Sequence, residues 1–173
     1  MANKASFAEA IEDIQKEQHV LIFTRAPTIS SWVTRVFTGK FFKKEAQWSH
    51  TGVYIQGKVY HSTLGVGCHV SSLKEFIRDT TFCYYSFLPT YELEGSRICH
   101  EEVRAIECLD REYDVGIAVE MASSTRDTED ATDQVEAEKR MVCSEYSEYI
   151  CFGTDHSLTP DELWAIVEGQ TNA

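Results

Sequence analysis

The sequence predicts one domain of mixed helix and strand, and three observations carry that expectation. Its 173 residues are enough to bury a core without staples. Short apolar and alternating runs separated by turn residues gather between positions 20 and 88. Capping-box signatures and 3.6-residue apolar spacing mark helices at the beginning and end of the chain.

Taken in order, Ser6 and Glu9 form a capping box, and Phe7, Ile11 and Ile14 fall on one helical face, predicting a helix that ends near Gln18. VLIF (20–23) reads as a short apolar strand. After Pro27, a helix over 30–37 would turn Trp32, Val33, Val36 and Phe37 inward and close at Gly39. Strands follow at 49–55 and 58–62 around a Gln56-Gly57 turn, and at 68–71 beyond Gly65 and Gly67. Ser72 and Glu75 make a second capping box for a brief helix ending near Asp79. TFCYYSFL (81–88), rich in aromatic and β-branched residues, is expected to be a buried strand. A helix is expected from Ser96 to about Leu109. Residues 121–138 hold six acids and almost no large apolar side chain, as expected of a mobile acidic loop inside the single domain 1–173. Two helices close the chain: 143–152, stopped by Gly153, and one opened by Thr159-Pro160-Asp161-Glu162.

Composition narrows the function. A net charge of −12 and a pI near 4.9 argue against a nucleic-acid partner, since no basic cluster exists to release phosphate counterions. No apolar run is long enough for stable membrane insertion, and the first residues lack a signal-peptide pattern, so a cytoplasmic protein is expected. The six cysteines are expected to be reduced, and without CxxC spacing no structural metal is expected; no cofactor motif appears either.

The chemistry concentrates in two stretches. In RMVCSEYSEYICFG (140–153), Cys143 opens a predicted helix, where unsatisfied N–H groups favour a thiolate and can face an oxyanion. Glu145 and Glu148 oppose that effect if they point toward the sulfur, so the sequence leaves the protonation state of the thiol open. In QWSHTGVYIQGKVYHS (47–62), His50 stands at a strand start beside Ser49 and Gly52. Pairing Tyr54 with Val59 places His61 opposite Gly52, within reach of His50. A thiol nucleophile needs an imidazole to take its proton, and that imidazole needs an orienting acceptor. Taken singly, Cys143 is a small buried residue and each histidine decorates a sheet; together they fill three roles. A Ser49 hydrolase is disfavoured, because no G-x-S-x-G elbow exists and neighbouring strand residues face opposite ways.

The order QWSHTGVYIQGKVYHS, GVGCHVSSLKEFI, REYDVG, MVCSEYSEYICFG, LTPDELW resembles the circularly permuted NlpC-like, papain-fold cysteine hydrolases of the YiiX type, over about residues 19–168. The resemblance implies an α+β permuted papain-like fold, with an antiparallel sheet packed against helices and the catalytic cysteine at a helix N-terminus. It assigns Cys143 as nucleophile, His50 as base and His61 as the orienting residue, where YiiX-type relatives carry glutamate. Tyr113 of REYDVG corresponds to a tyrosine that assists the oxyanion. The implied activity is hydrolysis of an amide, peptide or related acyl substrate through an acyl-enzyme. Lipid-directed acyl transfer or deacylation, with FTGKFF (37–42) as the approach surface, is the alternative. A third possibility is an inactive binding or inhibitory module that meets a protein partner through the acidic loop 121–138.

Overall fold

The computed structural model describes residues 7–17, 19–27, 46–88, 99–113, 141–154, 156 and 158–171. The helix expected at 30–37, the FTGKFF segment and the acidic loop 121–138 lie outside the described residues, as does Ser6. The architecture is α+β. A five-stranded antiparallel sheet in the order β4-β3-β2-β1-β5 is covered by helices on both faces.

Helix α1 (Phe7–Lys16) places Ile14 in the core and Ile11 beside it, as the spacing requires. Strand β1 (His19–Arg25) extends the apolar run by one residue before it and two after. It is paired on both edges and packed on both faces, which explains why it reads as a continuous apolar run and not an alternation. Strands β2 (His50–Ile55) and β3 (Lys58–Thr63) form the expected hairpin with Tyr54 opposite Val59. Gln56 and Gly57 take φ of +46° and +96°, the positive pair that lets a two-residue turn match strand twist.

Strand β4 (Gly67–Ser71) pairs with β3, setting His61 opposite His69. At Gly67, with φ +80°, a Cβ would lie 2.1 Å from the Arg111 carbonyl oxygen, so only glycine lets that carbonyl accept the Cys68 N–H at 2.7 Å. This contact draws residues 110–113 against the edge of β4.

The short helix α2 (Leu73–Phe76) starts at the expected capping box: Ser72 Oγ accepts the Glu75 N–H at 3.3 Å, and the Glu75 carboxylate accepts the Ser72 N–H at 3.1 Å. It ends at Phe76, before the predicted Asp79. Strand β5 (Thr81–Ser86) is a correction. Aromatic content marks it as a strand, but among the described residues it pairs only with β1, and Thr81, Tyr84 and Ser86 are exposed. Strand propensity reports a fit to a pleated surface, not burial.

Helix α3 (His100–Glu107) occupies the middle of the expected span. Helix α4 (Cys143–Phe152) packs on β2 and β3 and ends at Gly153, whose φ of +71° supplies the left-handed cap. Helix α5 (Pro160–Thr171) has its box in place, with the Glu162 N–H donating to Thr159 Oγ1 at 3.3 Å and the Thr159 N–H to Glu162 Oε2 at 2.8 Å. One core lies between the sheet and α3, α4 and α5; the other lies under α1 and α2.

Candidate active site

Strand alternation decides which side chains can meet. Thr51, Val53 and Ile55 of β2 face α4, whereas His50, Gly52 and Tyr54 face the α1–α2 layer. On β3, Ser62 faces α4 and donates to the Met141 carbonyl at 2.7 Å, while Val59 and His61 face the other way. Both predicted histidines therefore share one face with His69 and Ser71. His50 Nε2 and His61 Nδ1 are 3.1 Å apart, and His61 Nε2 lies 3.0 Å from Ser71 Oγ. His69 packs its ring 4.1 Å from that of His61, centroid to centroid, with its Nδ1–H donating to the Gly67 carbonyl at 2.8 Å.

Phe76 closes this row of imidazoles from α2. Its ring lies 5.4 Å from His50 and 4.8 Å from His61. Gly52 permits that approach: a Cβ there would stand 2.7 Å from the Phe76 ring. Upstream, Asp161 at the start of α5 accepts the Gln47 and Trp48 N–H groups at 2.9 and 2.8 Å. Trp48 then packs with Phe23 and Trp164. The chain thus enters β2 from an anchored position, and His50 follows two residues later.

Cys143 approaches from the opposite layer. It is the first residue of α4, and the Thr51 hydroxyl donates to its carbonyl oxygen at 3.0 Å while accepting from Ser147 Oγ at 3.0 Å. The two layers meet at the end of the sheet, where β1 leaves, β2 begins and β3 leaves. There a cleft of about 510 Å³ is lined by His50, His61, His69, Ser71, Tyr113 and Cys143, among others. All four residues predicted for the site, Cys143, His50, His61 and Tyr113, line it. Two of them, His50 and His61, are hydrogen-bonded to each other. No hydrogen bond among the described residues joins Cys143 Sγ to His50; the sulfur instead meets Thr51 and the N–H groups of the helix start.

Burial pushes the Cys143 thiol above its ordinary value, and only in part do hydrogen bonds from Thr51 and the backbone of Ser144 and Cys143 pull it back. The helix start therefore does not make a resting thiolate, because desolvation outweighs the dipole. The two glutamates are not the cause. Glu145 turns back to accept the Val142 N–H at 3.0 Å, and Glu148 is held by Thr154 and His156. Burial, and then the nearby His69, lower His50 to about 4; burial, His50 and His69 lower His61 to about 2. At neutral pH the thiol and both imidazoles are uncharged.

Comparison with protein-family models, curated proteins and solved structures found no match. Among the described residues no group of three or more His, Cys, Asp or Glu side chains is arranged to hold a metal ion, and no helix is long and apolar enough to cross a membrane. All six cysteines are free.

Four residues of the site escaped the sequence reading: Thr51, His69, Ser71 and Phe76. Two of them carried a signal. With β4 placed at 68–71 and a tight turn at Gly65–Gly67, alternation sets His69 and Ser71 on the face of His61. Phe76 and Thr51 depend on packing between layers, which no local pattern encodes.

Proposed function

We propose that this chain is a thiol-dependent hydrolase with a permuted papain-like, NlpC-like fold, acting on an amide, peptide or related acyl bond through Cys143, His50 and His61. The observation that carries the proposal is the 3.1 Å contact between His50 Nε2 and His61 Nδ1 at the wall of a cleft that also takes Cys143. With Nε2 engaged, Nδ1 of His50 is the nitrogen left to receive a proton.

In this reaction, the Cys143 thiol gives its proton to His50 Nδ1 as the sulfur attacks the substrate carbonyl carbon. A C–S bond forms, and the carbonyl oxygen becomes an oxyanion that N–H groups at the start of α4 can hold, with Tyr113 at the rim. Collapse breaks the bond to the leaving group, which takes the proton from His50, leaving a thioester on Cys143. Water, deprotonated by His50, then adds to the thioester, and the Cys143 sulfur departs with the proton. His61 holds the plane of His50 throughout. Being neutral, it supports the transient imidazolium by a hydrogen-bond lone pair and not by charge.

The test is alkylation of the native protein with iodoacetamide near neutral pH, with the label located by peptide mapping. Preferential labelling of Cys143 that depends on His50 supports the proposal; a Cys143 no more reactive than Cys68 or Cys151 overturns it. One observation favours an inactive binding module: Cys143 is only 6% exposed and its thiol is raised. On that reading Cys143→Ala leaves the protein's effect intact, while deletion of 121–138 abolishes it. The lipid-directed alternative is checked by binding to phospholipid vesicles that disappears when Phe41 and Phe42 become Ser.

A further inference from the structure

We infer that Ser71 is a fourth, positioning member of the site, which sets the tautomers of both imidazoles; this rests on Cys143 and His50 being nucleophile and base. Ser71 lies on β4, two residues beyond His69, which faces His61 across the strand pair. From that diagonal position its hydroxyl oxygen reaches His61 Nε2 at 3.0 Å.

The hydrogen-bond chain Ser71–His61–His50 has two self-consistent arrangements, because a neutral imidazole carries one N–H and one lone pair. In the first, His61 Nε2–H donates to Ser71 Oγ, His61 Nδ1 accepts from His50 Nε2–H, and His50 Nδ1 is a free lone pair. In the second, Ser71 O–H donates to His61 Nε2, His61 Nδ1–H donates to His50 Nε2, and His50 Nδ1 carries hydrogen. Only the first leaves His50 a nitrogen that can take the thiol proton without a ring flip.

One feature favours the first. Ser71 lines the cleft, so its own O–H has solvent as a partner while its lone pair stays with His61. His69 Nδ1–H donates to the Gly67 carbonyl at 2.8 Å, so that nitrogen stays outside the chain in either arrangement. When His50 becomes an imidazolium, its Nε2–H points at the His61 lone pair, and the polarisation ends on the Ser71 oxygen. A hydroxyl at the end of the chain does for a histidine what an acid does directly: it fixes the acceptor.

The experiment is long-range ¹H–¹⁵N correlation of the imidazoles in uniformly labelled protein near neutral pH, together with Cys143 alkylation by iodoacetamide across pH. Expected in the native sequence is hydrogen on Nε2 of both His50 and His61. Ser71→Ala is expected to move His61 to a mixture of tautomers and to slow His50-dependent alkylation of Cys143 roughly tenfold, the loss of one good hydrogen bond. Ser71→Thr restores both. Hydrogen on His61 Nδ1 in the native sequence, or a His61 tautomer indifferent to Ser71→Ala, overturns the inference. Should Ser71→Ala fail to fold, the native tautomers and Ser71→Thr still decide it. If alkylation ignores His50 while the tautomer follows Ser71, the nucleophile assignment fails and the positioning role stands; the reverse pattern rejects the positioning role alone.

Discussion

Among the described residues, two cysteine–histidine arrangements have a similar outline. In one, Cys99 stands immediately before α3 and its sulfur lies 3.2 Å from His19 Nε2 on β1. In the other, Cys143 opens α4 and shares a cleft with His50 on β2. By sulfur–nitrogen contact alone the first pair would be chosen. Yet Cys99 and His19 are 0% and 2% exposed and line none of the cleft. Burial raises the Cys99 thiol and lowers His19, with the Glu102 backbone N–H pulling the sulfur part of the way back. Cys99 stands at a helix N-cap position, and its sulfur is the partner of a buried imidazole. What separates the second pair is a cleft that both residues line and a hydrogen-bonded partner on Nε2 of His50. A hydrogen bond between sulfur and imidazole is no mark of a nucleophile; the surroundings of each group decide.

The largest difference expected between the pairs is in reactivity. Native-state alkylation is expected to modify Cys143 at least about a hundredfold faster than Cys99, since base assistance contributes on that scale and Cys99 reacts only through opening of the fold. Equal rates, or faster labelling of Cys99, would merge the two sites into one class.

Stability should separate them in the opposite sense. His19→Ala removes a fully buried ring and strands the Cys99 sulfur, an expected cost of about 2–3 kcal/mol. His50→Ala is expected to cost about 1 kcal/mol, because cleft water can reach His61 Nδ1. Urea midpoints at constant slope measure both, and a larger loss for His50→Ala would reverse the assignment.

Acid offers a third contrast. His50 and His61 have folded values depressed below the ordinary 6.5, so between about pH 6.5 and 4 the unfolded chain binds protons that the folded one refuses. Stability therefore falls as pH drops through that window, by up to about 1.4 kcal/mol per pH unit for each such histidine. Replacing His50 with Gln and His61 with Asn should flatten urea stability against pH there, leaving the shallower contribution of His19. An unchanged slope would mean that the cleft imidazoles are not held neutral.

The smallest effect expected is at Thr51. Its hydroxyl and backbone lower the Cys143 thiol while leaving Cys99 untouched. Thr51→Val should slow Cys143 alkylation roughly threefold, the worth of a modest hydrogen bond, with no change at Cys99.

Much of this architecture was legible because it is written locally. The Gln56-Gly57 turn and the Tyr54–Val59 pairing together place His61 beside His50, and the boxes at Ser72 and Thr159 each mark a helix start. Cys143 at the first residue of α4 follows from the extended stretch before it and the Gly153 stop after it. Illegible were effects that arise between layers. The state of the Cys143 thiol was not legible because burial, which depends on how α4 lies against Thr51, outweighs the helix start. The exposed side of β5 depends on which strand ends the sheet, and the Phe76 ring across Gly52 depends on where α2 returns. His19 and Cys99 are eighty positions apart, and no pattern in the chain announces their meeting.

The central claim is that Cys143 forms an acyl-enzyme with His50 as its base. Mixing the protein with a p-nitrophenyl ester and following nitrophenolate release, with intact mass recorded in parallel, tests it most directly. The account predicts a stoichiometric burst, an acyl group on Cys143 that later hydrolyses, and loss of the burst in both Cys143→Ala and His50→Ala. A burst that survives Cys143→Ala, or an acyl group found on Cys99, would contradict it.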